Sequence, residues 1–123
     1  MGLLIDSNIL IYSYLTEYAY TRDLVIDESS CISEISRIEV LGYYGLKDDE
    51  EKYFQDIFNF VSILLPTQEI FDKAIQIRKL YNLKLGDSLI AATALIHDLT
   101  LCTRNLSDFE KVKDLKCVNP IIG

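Results

Sequence analysis

Short, unbroken apolar runs alternate along this chain with segments of helical periodicity, and acidic residues stand where several of the runs break off. Leu3-Leu4-Ile5 stops at Asp6, and the run from 99 to 102 is followed a few residues later by Asp108. Asp87 opens Ser88-Leu89-Ile90-Ala91-Ala92-Thr93-Ala94-Leu95-Ile96, and Glu39 lies inside Ile38-Glu39-Val40-Leu41. A short run without polar alternation reads as a strand buried on both faces, the habit of a parallel sheet covered by helices. An acid beside such a buried element is costly unless something neutralises it. A divalent cation does so well, because hard cations take carboxylate oxygens.

Taken in order, Leu3-Leu4-Ile5 is a first strand, and Ser7 or Asn8 can cap a helix from Ile9 to about Glu17. Residues 18–28 are mixed and charged, with room for a short helix over Leu24-Val25-Ile26. Cys31-Ile32-Ser33 is a second strand. Ser36 then opens a helix that runs to about Gly45, a plausible helix stop. Lys47-Asp48-Asp49-Glu50-Glu51-Lys52 suits a helix N-terminus, and Phe54, Ile57, Phe58 and Val61 recur at helical spacing behind it. Ser62-Ile63-Leu64-Leu65 is a third buried strand, ended by Pro66. Thr67 caps an amphipathic helix bearing Ile70, Ala74 and Ile77, and residues 82–86 form a connector. Residues 87–97 make a helix that is apolar nearly all round and therefore buried. Residues 100–103 are a fourth strand, 104–109 a loop into a short helix, and 116–119 a last strand closed by Pro120. The expected fold is α/β: a three-layer α/β/α sandwich with a parallel sheet of four to five strands, in one domain over residues 1–123. In such folds ligands bind beyond the carboxyl ends of the strands.

Composition removes several function classes. The formal net charge of −7 argues against broad electrostatic binding of nucleic acid, which wants a basic face. A phosphate substrate stays open, provided that cations cancel part of the acidic pocket and local Lys or Arg does the rest. No apolar stretch approaches the roughly 18–20 residues of a membrane span. The N-terminus has neither a basic leader nor an apolar h-region, so a cytoplasmic location without membrane attachment is expected. Cys31, Cys102 and Cys117 are an odd, widely spaced set with apolar neighbours, and read as reduced core thiols. His97 is the one histidine, too few for a zinc triad or a Ser-His-Asp set. Tyr12, Tyr14, Tyr18, Tyr20, Tyr43 and Tyr44 read as core edge or subunit interface. There is neither a Gly-rich phosphate loop nor a G-x-S-x-G elbow.

Each acid also has a structural reading. Asp6 could cap the first helix, but Ser7 and Asn8 already supply a cap. Ser36-Arg37-Ile38-Glu39 matches the S-x-x-E capping box. Asp87 could be the N-cap of the buried helix, and Asp108 could start the last one. The joint placement favours the other reading. Four carboxylates at one edge of a sheet repel one another unless cations join them. Such a set can hold Mg²⁺ or Mn²⁺ and leave positions open for water and phosphate. Arg104 and Arg37 are candidate phosphate contacts, against the plainer reading of each as a solvated side chain.

Four stretches together resemble the PIN-domain nucleases, and most closely the VapC-type toxins of prokaryotic toxin–antitoxin pairs. They are Leu4-Ile5-Asp6-Ser7-Asn8-Ile9-Leu10, the segment from Ile32 to Gly42 around Glu39, Leu85-Gly86-Asp87-Ser88-Leu89-Ile90-Ala91-Ala92-Thr93-Ala94, and Leu101-Cys102-Thr103-Arg104-Asn105-Leu106-Ser107-Asp108-Phe109. They come in the family's order and nearly span the chain. The resemblance implies strand order 3-2-1-4-5 and a Mg²⁺- or Mn²⁺-dependent endoribonuclease that hydrolyses phosphodiester bonds with a metal-activated water, leaving 5′-phosphate and 3′-hydroxyl ends. By position, Asp6, Glu39 and Asp87 match the first three family acids. Asp108 is the preferred fourth, with Asn105 at the alternative position. Thr103 and Ser7 are implied to position a water or a carboxylate. An RNA substrate, a cognate antitoxin and a homodimer follow from the same resemblance. The rival readings are a PIN-like binding module without activity and a receiver-type signalling domain. The receiver reading is disfavoured because Pro66-Thr67 stands where a phospho-accepting Asp would follow the third strand.

Overall fold

The computed structural model describes residues 2–122. Five parallel strands lie in the order β3-β2-β1-β4-β5. They are β1 (Leu3–Ile5), β2 (Ser30–Ser33), β3 (Ser62–Leu64), β4 (Thr100–Cys102) and β5 (Cys117–Val118). This is the expected order, and it differs from the 2-1-3-4-5 order of receiver domains. Helices α1 (Ser7–Tyr14), α2 (Arg22–Val25), α3 (Glu34–Leu41), α4 (Asp48–Phe60), α5 (Gln68–Tyr81), α6 (Leu85–Ile96) and α7 (Leu106–Phe109) connect the strands, with a 3₁₀ helix at Thr16–Thr21 between α1 and α2.

Alternation along each strand divides the core into two layers, one on each face of the sheet. Leu4 and Leu101 point to the side of α5 and α6, where they pack with Ile70, Ala74, Ile77 and Ile90. Ile5, Ile32 and Cys102 point to the other side, into Ile9, Leu10, Val40, Phe54 and Ile57. Leu4, Ile5, Ile32 and Leu101 are fully buried. Each is worth about 1.5–3 kcal/mol relative to exposure. A strand buried on both faces leaves little room for polar side chains, and those these strands carry, Ser30 and Ser33 of β2 and Thr100 of β4, are small and stand at strand ends.

Several boundaries differ from expectation. The first helix ends at Tyr14, not Glu17, and Thr16–Thr21 tighten into the 3₁₀ helix. The third helix stops at Leu41 with Gly42 as its C-cap, while Gly45, at φ 86°, belongs to the turn before α4. β3 is an edge strand: Ser62 is exposed and Ile63 and Leu64 are only half-buried, so the run is apolar without being sealed on both faces. The helix expected from Asp87 begins at Leu85, shortening the connector after Asn82, which closes α5 in the left-handed conformation.

The order of strands reverses between β1 and β4, which pair directly: Leu3 with Thr100, Leu4 with Leu101 and Ile5 with Cys102. From β1 the chain winds outward to β2 and β3, and from β4 to β5. The connections therefore part above the carboxyl ends of β1 and β4, and this opening is where an open α/β sheet accommodates a ligand.

Candidate active site

Asp6 stands in that opening. It follows β1 with no intervening residue and keeps an extended backbone, so it is itself the N-cap of α1: Asp6 Oδ1 accepts the Ser7 N–H at 2.8 Å. The expectation that Ser7 or Asn8 would cap this helix is therefore corrected. Both are already helical, and only the last extended residue can turn its side chain back on the first turn. The second oxygen, Oδ2, accepts from Thr103 Oγ1 at 2.9 Å and from Asn8 Nδ2 at 3.2 Å. Asn8 Nδ2 also reaches Thr103 Oγ1 (3.3 Å), and Asn8 Oδ1 accepts the Arg104 N–H (3.1 Å). Thr103 Oγ1 in turn accepts the Asn105 N–H at 3.1 Å. This network ties the end of β1 to the end of β4, with Asp6 only 5% exposed at its centre and Thr103 fully buried.

Glu39 reaches the same opening from α3. The cap of that helix is Ser33, whose hydroxyl accepts the Ile35 N–H at 3.1 Å. Ser36 lies inside the first turn, buried, with no partner for its hydroxyl among the described residues. The capping box expected from Ser36 and Glu39 does not form, because the helix starts one turn earlier, directly at the end of β2. Glu39 is thereby free of a capping role. Its carboxylate meets the Ser7 side chain and the first turn of α6, where a methyl group placed on Gly86 would lie 3.7 Å from Glu39 Oε2.

Asp87 is the third residue of α6. Lys84 occupies the cap position without a side-chain bond, so Asp87 is not the N-cap; it lies in the first turn, where the helix dipole favours a negative charge. Asp108 lies in α7, whose N-cap residue is Asn105. Glu39 and Asp108 are exposed, and Asp87 is half-buried.

The acids affect one another's protonation. Burial holds Asp6 above its ordinary value and repulsion from Asp87 adds to this, while the bonds from Thr103, Ser7 and Asn8 work the other way. Glu39 is raised by burial and by the charges of Asp6 and Asp87. Asp87 is raised by burial and by Asp108, with Lys84 opposing. Asp6, Glu39 and Asp87 thus form a mutually repelling group, and Asp108 stands at its outer end beside Asp87. Beneath Asp6, burial and that carboxylate push the Cys102 thiol up to about 12, so it is an inert core group.

The donors at this edge are all oxygens, which suits a hard divalent cation. Among the described residues, no three acidic, histidine or cysteine side chains converge closely enough to enclose one ion. Ser7, Thr103 and Asn105 all fall within this edge. Arg37 is committed to Glu34 through its Nε. The sequence alone does not reveal that Asn8 bonds Asp6, Thr103 and Arg104 at once. Its signal is the two-residue spacing of Asn8 from Asp6 at the start of a helix.

The PIN domain family model matches residues 3–115. The chain belongs to the PIN domain family. Ribonuclease VapC10 of Mycobacterium tuberculosis is 30% identical over 123 residues, with 93% of this chain and 90% of that protein covered. Among solved structures, a toxin–antitoxin complex from Klebsiella pneumoniae superimposes with a TM-score of 0.82 at 30% identity, covering 98% of each chain. VapBC2 from Rickettsia felis, bound to a DNA fragment from its promoter, shares the fold with a TM-score of 0.81 at 19% identity, over 97% of this chain and 98% of that one.

Proposed function

We propose that this chain, as a single PIN domain, is a divalent-cation-dependent endoribonuclease and the toxin of a type II toxin–antitoxin pair. The observation that carries the reading is the mutual repulsion of Asp6, Glu39 and Asp87, with Asp108 beside them, at the point where the strand order reverses. Carboxylates that repel one another, with only Lys84 opposing at Asp87, suit a cation supplied from solution. When bound, Mg²⁺ or Mn²⁺ would acidify the attacking water and stabilise charge on the phosphoryl and leaving oxygens.

The chain's own groups do the rest. Asp6, Glu39, Asp87 and Asp108 would hold the ion, some directly and others through bound water, since no three of them converge on one point among the described residues. Thr103, Asn8 and the Ser7 N–H fix both oxygens of Asp6 and offset part of the effect of its burial. Ser7 steadies Glu39, and Asn105 offers an amide to a water at the rim. In this reading the protein is cytoplasmic and a homodimer. Its acidic surface suits an antitoxin segment carrying basic residues. The relatives' names support this reading: one is a ribonuclease, the other a toxin–antitoxin complex.

The test is incubation of the purified chain with a mixed RNA pool in Mg²⁺, in Mn²⁺ and in EDTA, with analysis of the product ends. Cleavage in either cation, its loss in EDTA, and 5′-phosphate ends are expected. An RNA pool left intact in both cations would refute the proposal.

A further inference from the structure

Arg104 is held at two points while its side-chain donors stay unused. It follows Thr103 directly, at the edge where Asp6 sits. Asn8 Oδ1 accepts its backbone N–H at 3.1 Å, and its guanidinium carbon lies over the Tyr12 ring, 5.4 Å from the centroid. Asn8 and Tyr12 are four residues apart on α1 and so share a face. One grips the backbone of Arg104 and the other its side chain. Tyr12 is itself backed by Tyr18, edge to face, with centroids 4.7 Å apart and planes at 89°.

A cation–π contact uses the charge and the ring face, and occupies no N–H donor. Among the described residues the Arg104 side chain makes no hydrogen bond and no ion pair, although four carboxylates stand at the same edge of the sheet. Two of the three other arginines differ. Arg22 also lies over a ring, that of Tyr53 at 5.6 Å, but its Nε and Nη2 donate to the Ser13 and Tyr14 carbonyls at 2.7 and 3.0 Å. Arg37 is paired with Glu34. Arg78 also makes no side-chain hydrogen bond or ion pair among the described residues, but it lies on α5, lining a groove with α6, and is not held over a ring.

We propose that Arg104 binds a backbone phosphate of the RNA strand beside the carboxylate edge, and that Tyr12 and Asn8 are positioning residues for it. The inference rests on the ribonuclease reading and adds how a polyanion is brought to an acidic face. The guanidinium fork matches two phosphate oxygens at once. A pre-positioned Arg loses less side-chain freedom on binding than a solvated one. A chain of net charge −7 needs a local cation to draw the strand toward acids that repel it.

The experiment measures binding of a fluorescein-labelled single-stranded RNA by anisotropy in EDTA, where the strand stays intact, over a series of KCl concentrations. Arg104→Ala is expected to raise Kd about tenfold, as loss of a charge-assisted contact does. It should also flatten the slope of log Kd against log salt by about 0.7, one phosphate contact on a single strand. Both effects should be equal for strands of different sequence. Tyr12→Leu keeps the charge, so it should raise Kd a few-fold with the parent's salt slope, and Tyr12→Phe should restore binding. Melting curves check that each variant is folded; Arg104 is exposed, so its replacement should not move them. An unchanged Kd and slope in Arg104→Ala, or a loss confined to particular sequences, would overturn the phosphate assignment. Parent-like binding by Tyr12→Leu would overturn the positioning role. The two proposals fail separately. A parent that cuts RNA while Arg104→Ala binds normally refutes only the Arg104 assignment. A parent that binds RNA through Arg104 without cutting it in any cation refutes only the hydrolase.

Discussion

Asp6 uses each of its two oxygens differently. Oδ1 closes the first turn of α1, and Oδ2 is held by Thr103 and Asn8. Capping through Oδ1 therefore does not by itself exclude a ligand role for Asp6. Thr103 has a separable effect, since its bond lowers the Asp6 pKa against the pull of burial. In Thr103→Val that support is lost and Asp6 should titrate still higher. The acid limb of the pH profile of kcat/KM is expected to move to higher pH, with a cost of about 1–3 kcal/mol in denaturant unfolding; an unmoved limb would separate Thr103 from the Asp6 charge. Glu39 gives a cleaner substitution because it caps nothing. Glu39→Gln is expected to melt within about 0.5 kcal/mol of the parent in EDTA, as surface changes do. Its cleavage rate at limiting Mg²⁺ should fall by about tenfold or more, as in metal sites with weakened ligation. Parent-like rates across a Mg²⁺ titration would remove Glu39 from the site. The four candidate acids can be picked out of the sequence because each interrupts or adjoins an apolar run. The role of Asn8 beyond capping is not legible in the sequence, because its partners Thr103 and Arg104 lie 95 and 96 residues away and no local pattern links them.

At the scale of elements, the strands were readable because burial on both faces leaves short apolar runs with no competing pattern. Helix starts were less so. Ser33 and Ser36 are three residues apart, and both precede apolar positions. The S-x-x-E spacing pointed to Ser36, but the helix begins where β2 ends, and that is decided by sheet pairing: Ser33 sits opposite Leu64 in the register of β2 and β3. The difference is measurable. Ser33→Ala removes a true cap and is expected to cost about 1 kcal/mol. Ser36→Ala removes a buried hydroxyl without a partner and should be neutral or slightly stabilising. Urea unfolding of the two variants checks this, and the opposite ranking would restore the capping box. The exposure of β3 was not legible, since an apolar run does not state whether a further strand lies beside it.

Across the whole molecule, three carboxyls raised together make stability depend on pH in a definite direction. Asp6, Glu39 and Asp87 start from ordinary values of 3.8, 4.5 and 3.8 and titrate higher in the folded chain. Between those ordinary values and the raised ones, the folded state holds more protons than the unfolded state. Stability therefore falls as pH rises through this window and returns as pH falls. Asp27 and Asp49 are lowered by their hydrogen bonds to Ser29 and Tyr14, so the stability they contribute is lost only at more acidic pH. In EDTA, the melting temperature is expected to be higher in mildly acidic buffer than at neutral pH. A divalent cation at about 100 times its Kd should add about 2.7 kcal/mol at neutral pH and erase that difference. A flat profile in EDTA, or no response to Mg²⁺ and Mn²⁺, would mean that these acids do not share one cation site.

The most direct measurement is single-turnover cleavage of an RNA strand by the parent and by Asp6→Asn across a Mn²⁺ titration. Asn can still cap α1, so the fold is retained while one ligand charge is removed. The variant should need a higher Mn²⁺ concentration and lose most of its rate even at saturation, with circular dichroism matching the parent. A folded Asp6→Asn that cuts RNA at the parent's rate under limiting Mn²⁺ would contradict the account, because the acid at the centre of the site would then hold no cation.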